Sequence, residues 1–134
     1  MGIKVIRPEM AELIDPSVEI EKIADGFTFT EGPVWDRENG CLFFSDIPGD
    51  TIHRWTPEGG TTVHRQPSCH SNGLTLDGQG RLISCEHSGR RVRVEEGGEV
   101  KVLVDTYQGK KLNSPNDVVV CQDGGIIFTD PPYG

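Results

Sequence analysis

Three stretches decide how this chain folds: EGPVWDRENGCLFFSD at residues 31–46, NGLTLDGQGRLISCE at 72–86 and NDVVVCQDGGIIFTD at 116–130. Each opens on a carboxylate or amide residue and runs through a short apolar segment. Each then turns at Asp and Gly and continues through a second strand to another acidic residue. The first carries one extra residue in its turn. The three begin at Glu31, Asn72 and Asn116, 41 and 44 residues apart.

The chain between these stretches completes the pattern. Leu42–Phe44, Thr51–Trp55, Thr61–Arg65, Arg81–Ser84, Arg91–Val94, Val100–Val104, Val118–Cys121 and Ile126–Thr129 read as strands. Asp36–Gly40, Asp77–Gly80 and Gln122–Gly125 separate them with the Asp/Gly chemistry of hairpin turns. Residues 1–26 form a lead-in, with weak helical periodicity from Pro8 to Ile23 broken at Pro16. No helix is expected after residue 26. A repeat of about 40–45 residues with four short strands per unit is the signature of a β-propeller blade. The expectation is therefore an all-β partial propeller over residues 27–134: two blades and the inner half of a third.

Composition bounds the function classes. Hydrophobic residues make up 34% of the 134 and charged residues 25%, which fits a folded domain rather than a disordered one. Thirteen Lys plus Arg against 21 Asp plus Glu give a net charge of -8, so neither a nucleic-acid surface nor an anionic-membrane binder is expected. Cys41, Cys69, Cys85 and Cys121 are too far apart for a zinc knuckle. They read as thiols of a reducing cytoplasm rather than as a disulfide framework.

The repeat also predicts where chemistry gathers. In a propeller the innermost strand of every blade runs along the central channel, so equivalent repeat positions form a ring. Glu31, Asn72 and Asn116 then converge at one mouth of that channel, and converging oxygen donors suit a hard cation such as calcium. Taken singly, Glu31 also fits an exposed turn carboxylate, Asn72 a hairpin Asn-Gly and Asn116 a self-capped turn. The second acidic set, Asp46, Glu86 and Asp130, is expected to make structural hydrogen bonds at the opposite rim or a blade junction. His70 and His87 flank the second repeat as packing residues or pocket contacts. Arg90 and Arg91 read as a solvated strand edge, and Trp35 and Trp55 as packing between blades.

Glu31-Gly32-Pro33-Val34-Trp35, Phe44-Ser45-Asp46-Ile47-Pro48-Gly49, Asn113-Ser114-Pro115-Asn116-Asp117 and Phe128-Thr129-Asp130-Pro131-Pro132-Tyr133-Gly134 resemble the gluconolactonase family. That family includes senescence marker protein and the luciferin-regenerating enzyme. The resemblance runs from about residue 25 to the end. It implies a six-bladed propeller with a divalent metal on the axis, most often calcium, with zinc or magnesium as alternatives, and hydrolysis of sugar lactones. It further implies that Glu31 and Asn116 are metal ligands and that Asn72 lines the substrate pocket; His87, at the end of the same repeat, is taken with Asn72 as a substrate-binding residue. The remaining metal ligands, including the catalytic Asp, are expected beyond residue 134. Ser114 stands where animal sugar-lactonases carry a substrate-contacting Arg.

The resulting expectation is a metal-dependent lactonase whose partners are a small lactone and the remaining blades. Two alternatives stand beside it: a non-catalytic calcium-binding scaffold, and an organophosphate hydrolase on the same plan. At about 42 residues per blade, six blades need on the order of 250 residues. The chain therefore reads as part of a longer enzyme or a truncated product, inactive and associated when alone.

Overall fold

A computed structural model describes residues 3–133. Gly134, which closes the last of the family-like stretches, lies outside the described residues. Twelve strands follow a 3-10 turn at Pro8–Glu12, and the helical periodicity of the lead-in goes no further than that turn. The first sheet is β1 (Thr30–Asp36), β2 (Cys41–Asp46), β3 (Thr51–Thr56) and β4 (Gly60–Arg65), hydrogen-bonded in that order. The second repeats the order with β5 (Ser71–Leu76), β6 (Leu82–Glu86), β7 (Arg91–Glu96) and β8 (Glu99–Val104). A small hairpin, β9 (Thr106–Tyr107) and β10 (Lys110–Lys111), precedes β11 (Val118–Val120) and β12 (Ile126–Phe128), which pair as a two-stranded sheet. Every pairing is antiparallel, and no α-helix occurs among the described residues.

The sheets stack because β6 is buried on both faces. Side chains alternate across a strand, so Leu82 faces one way and joins Cys41, Phe43, Ile52 and Leu74 in the core between the first two sheets. Ile83 and Cys85 face the other way and join Val92, Val94 and Val118 between the second sheet and β11–β12. All five residues of β6 are buried. The four thiols are free, with Cys41 and Cys85 buried.

One of the charged residues falls differently from the sequence expectation. Arg91, read as a solvated edge, donates from Nε to Glu86 at 2.7 Å. Glu86 is fully buried and also meets Arg93 and, at 3.5 Å, Arg65 of the preceding sheet. Arg65 in turn donates to Glu95 at 2.7 Å and to Ser84 at 2.9 Å, which ties β4 to β6 and β7. A carboxylate this deep requires such partners, because a lone buried charge is far too costly. Trp35, expected between blades, is 47% exposed on β1.

Asp46 and Asp130 behave alike. Asp46 accepts the Thr28 and Phe29 N–H groups at 3.2 and 3.1 Å; Asp130 accepts those of Asn113 and Ser114 at 2.9 Å. Each fixes the segment leading into the inner strand of its repeat. Burial alone would raise the Asp46 carboxyl, but the Phe29 and Thr28 N–H bonds outweigh it and hold it below the usual range.

Candidate active site

The inner strands are interrupted in the same place. In β1 the register slips between Glu31 and Val34, and in β5 between Ser71 and Leu74. In the third repeat the Asn116 N–H donates to the Thr129 carbonyl, while the Thr129 N–H donates to the Asp117 carbonyl. Two residues therefore face one in all three repeats, a β-bulge, and such bulges re-aim a side chain and steepen the local twist. The bulged positions are those that open the sequence repeat.

The result is a shared cavity of about 580 Å³, lined by Glu31, Asn72, His87, Asn116, Asp117 and Tyr133 among others. The four residues singled out from sequence, Glu31 and Asn116 as ligands and Asn72 and His87 as pocket contacts, all lie on its wall. They come from three successive repeats. Asp117 was not anticipated. Its signal is the repeat column after the opening residue, which reads Gly32, Gly73 and then Asp117.

Hydrogen bonding sets the polarity of that wall. Asn72 Nδ2 lies 3.3 Å from His87 Nε2, an arrangement in which the amide donates while its oxygen makes no hydrogen bond among the described residues. Burial, then the nearby His70, pushes the His87 pKa down, which keeps the ring neutral and able to accept. Among the described residues the Asn116 side chain makes no hydrogen bond, and the Glu31 carboxylate meets only the N–H of Gly32 at 3.4 Å. One carboxylate and two amides whose oxygens lack strong partners thus line one space. Hard oxygen donors of this kind fit calcium, which takes 6–8 such ligands. Among the described residues no group of three or more His, Cys, Asp and Glu is placed to hold a metal ion.

Ser114 is buried and commits its hydroxyl to the backbone carbonyls of Pro131 and Tyr133. It therefore holds the loop after β12 rather than reaching a ligand. His70 donates or accepts at Nδ1 with Ser88 Oγ, 3.1 Å away, and its N–H donates to Asp50 at 2.7 Å; it stands behind the cavity rather than on it.

The chain is similar to known proteins in sequence and fold. The sequence pattern of the SMP-30/Gluconolactonase/LRE-like region matches residues 29–134. A gluconolactonase of Zymomonas mobilis is 34% identical over 142 residues, which take in 95% of this chain and 40% of that protein. The solved structure of a gluconolactonase from Xanthomonas campestris superimposes with a TM-score of 0.79 at 40% identity, over 82% of this chain and 37% of that one. A structural-genomics target described as a gluconolactonase gives a TM-score of 0.87 at 42% identity, covering 96% of this chain and 45% of that one. Virginiamycin B lyase from Staphylococcus aureus, at 16% identity and a TM-score of 0.61, shares the propeller-type fold alone. This chain spans less than half the length of each.

Proposed function

Because the chain belongs to the SMP-30/Gluconolactonase/LRE-like family, we propose that its cavity is the metal- and substrate-binding wall of a sugar-lactone hydrolase. One observation carries the reading: Glu31, Asn72 and Asn116, from three successive repeats, line one cavity with oxygens that lack strong partners. A divalent cation suited to hard oxygen donors, calcium in this reading with magnesium or zinc as alternatives, would supply Lewis acidity toward the lactone carbonyl and a more acidic water.

The residues of this chain bind and orient. Glu31 offers the negative charge that attracts the cation. Asn116 and Asn72 offer neutral oxygens that leave net positive charge at the carbonyl. His87 holds the Asn72 amide in the orientation that presents its oxygen. Phe29, Ile47 and Leu74 give the cavity an apolar flank against the carbon face of a sugar ring.

The wall belongs to a ring of six sheets, of which this chain supplies two and the start of a third, and the general base comes from another sheet. The four free thiols support a reducing compartment such as the cytoplasm. Gluconolactone is the substrate that the named relatives suggest.

A graft tests the reading. Residues 1–134 replace the matching segment of the Xanthomonas campestris gluconolactonase, and glucono-1,5-lactone hydrolysis is followed with and without a chelator. The graft is expected to turn over, and to lose at least about a hundredfold on chelation or on Glu31→Gln. A folded graft whose turnover ignores both treatments overturns the metal-lactonase reading.

A further inference from the structure

Beside the main cavity lies a second of about 350 Å³, lined by His87, Ser88, Arg90, Asn113, Ser114 and Pro132. The two share His87, and Pro132 of the second adjoins Tyr133 of the first. A ligand seated against Asn72 and Asn116 can therefore extend past His87 without leaving the protein surface.

Arg90 is the one cation on the second wall, and it is held in place. The turn between β6 and β7 closes with the Arg90 N–H donating to the His87 carbonyl at 3.1 Å, and Arg90 adopts a φ of 51°. Its Nε donates to the Leu112 carbonyl at 2.6 Å. That bond fixes the plane of the guanidinium and leaves both terminal nitrogens. Among the described residues Arg90 forms no ion pair. Asp130, whose carboxylate lies behind Asn113 and Ser114 of this wall, is engaged by their N–H groups. The neighbouring turn of the first repeat has Asp50 in the same conformation, with a φ of 50°, so the positive charge belongs to the second repeat specifically.

Two parallel N–H donors at the end of an oriented guanidinium match the two oxygens of a carboxylate or phosphate. The Ser88 hydroxyl, paired with His70 Nδ1 at 3.1 Å, adds a neutral polar group on the same wall. We propose that this second cavity is a subsite for an anionic exocyclic group of the lactone, carboxylate or phosphate, and that Arg90 determines the preference for it. The proposal rests on the lactonase reading of the main cavity.

Binding to the full chain tests it. Backbone-amide NMR follows titration with gluconate, glucarate and 6-phosphogluconate in the presence of calcium. Glucarate or 6-phosphogluconate is expected to bind about tenfold more tightly than gluconate and to shift Ser88, Arg90 and Asn113. The two ligands separate a carboxylate preference from a phosphate one. Arg90→Asn keeps a residue tolerant of the left-handed backbone but removes the charge, and should bring the ratio to near one; Arg90→Lys should retain part of it. Equal binding of all three ligands, or a ratio that survives Arg90→Asn, overturns the subsite. Anion preference without calcium-induced shifts at Glu31 and Asn116 overturns the lactonase reading and leaves the subsite standing. Calcium shifts with no anion preference do the reverse.

Discussion

Gly32 lies directly against the backbone of Asn72. A Cβ built at residue 32 would overlap the Asn72 carbonyl oxygen and stand 2.9 Å from the Leu74 nitrogen. One repeat on, Gly73 donates its N–H to the Asn116 carbonyl at 2.7 Å, and a Cβ there would lie 2.6 Å from that oxygen. The inner strands of successive sheets thus meet backbone to backbone, beside the residues that face the cavity.

Replacing Gly32 by Ala should therefore destabilise the chain by about 2–4 kcal/mol, from backbone strain at a φ of 58° plus the overlap. Gly40 is the control, with the same φ of 58° and nothing within 4 Å of an added Cβ. Gly40→Ala should cost only about 1–2 kcal/mol. Denaturant titration of both variants compares them, and equal losses would refute the close approach.

Glu86→Gln leaves Arg65, Arg91 and Arg93 facing a neutral amide in a buried site. Breaking a buried ion cluster by removing its centre costs about 3–5 kcal/mol. Unfolding midpoints should fall accordingly, whereas the exposed pair Lys22–Asp25 should tolerate Asp25→Asn with little change. A loss at Glu86 no larger than at Asp25 would show that the cluster is not stabilising.

Asp46 predicts the acid limb of stability. Its folded pKa lies below its ordinary value, despite burial, because the Phe29 and Thr28 N–H groups bond the carboxylate. Its stabilisation is complete above the unfolded aspartate pKa of about 3.9 and is lost as the pH falls through the lower folded value. Asp46→Asn should lower the thermal midpoint at pH 7 and flatten its fall from pH 4 to pH 2. Parallel curves for the two proteins would contradict this.

The chain alone should bind calcium weakly, since three oxygen donors of the 6–8 that calcium takes are present. Titration should move the Glu31, Asn72 and Asn116 amides, and Glu31→Gln should abolish the response. Shifts centred on Asp15 or Asp123 instead would place the ion elsewhere.

The last sheet carries the fifth expectation. Val119 and Ile127 are 55% and 61% exposed on β11 and β12, and among the described residues β12 pairs with β11 alone. An unpaired strand edge templates pairing with another chain. Sedimentation should show concentration-dependent association that Ile127→Lys reduces; a monomer at all concentrations would exclude it.

The repeat was legible because its cues are local: Asp/Gly turns, alternation over a few residues, and one opening residue per unit. Glu31, Asn72 and Asn116 stand out that way, and together with His87 they line one cavity. What escaped depends on register between distant strands. Arg91 looks solvated in sequence, yet pairing of β6 with β7 sets Glu86 opposite Arg91 and brings β4 across to deliver Arg65. The hairpin β9–β10 has two residues per strand, too few for any alternation to show. Asp117 was hidden by the bulge, which turns two adjacent residues toward one space instead of opposite faces.

The contact between Gly32 and Asn72 has a metrological consequence. Because main-chain atoms, not side chains, separate the first two inner strands, the spacing between their donor positions is a fixed length, as in a gauge block. Exchange of Glu31 or Asn72 for another donor changes which ligand the wall holds but not how far apart its anchors stand. The third repeat, with Asp117 in place of the glycine, is where that gauge changes.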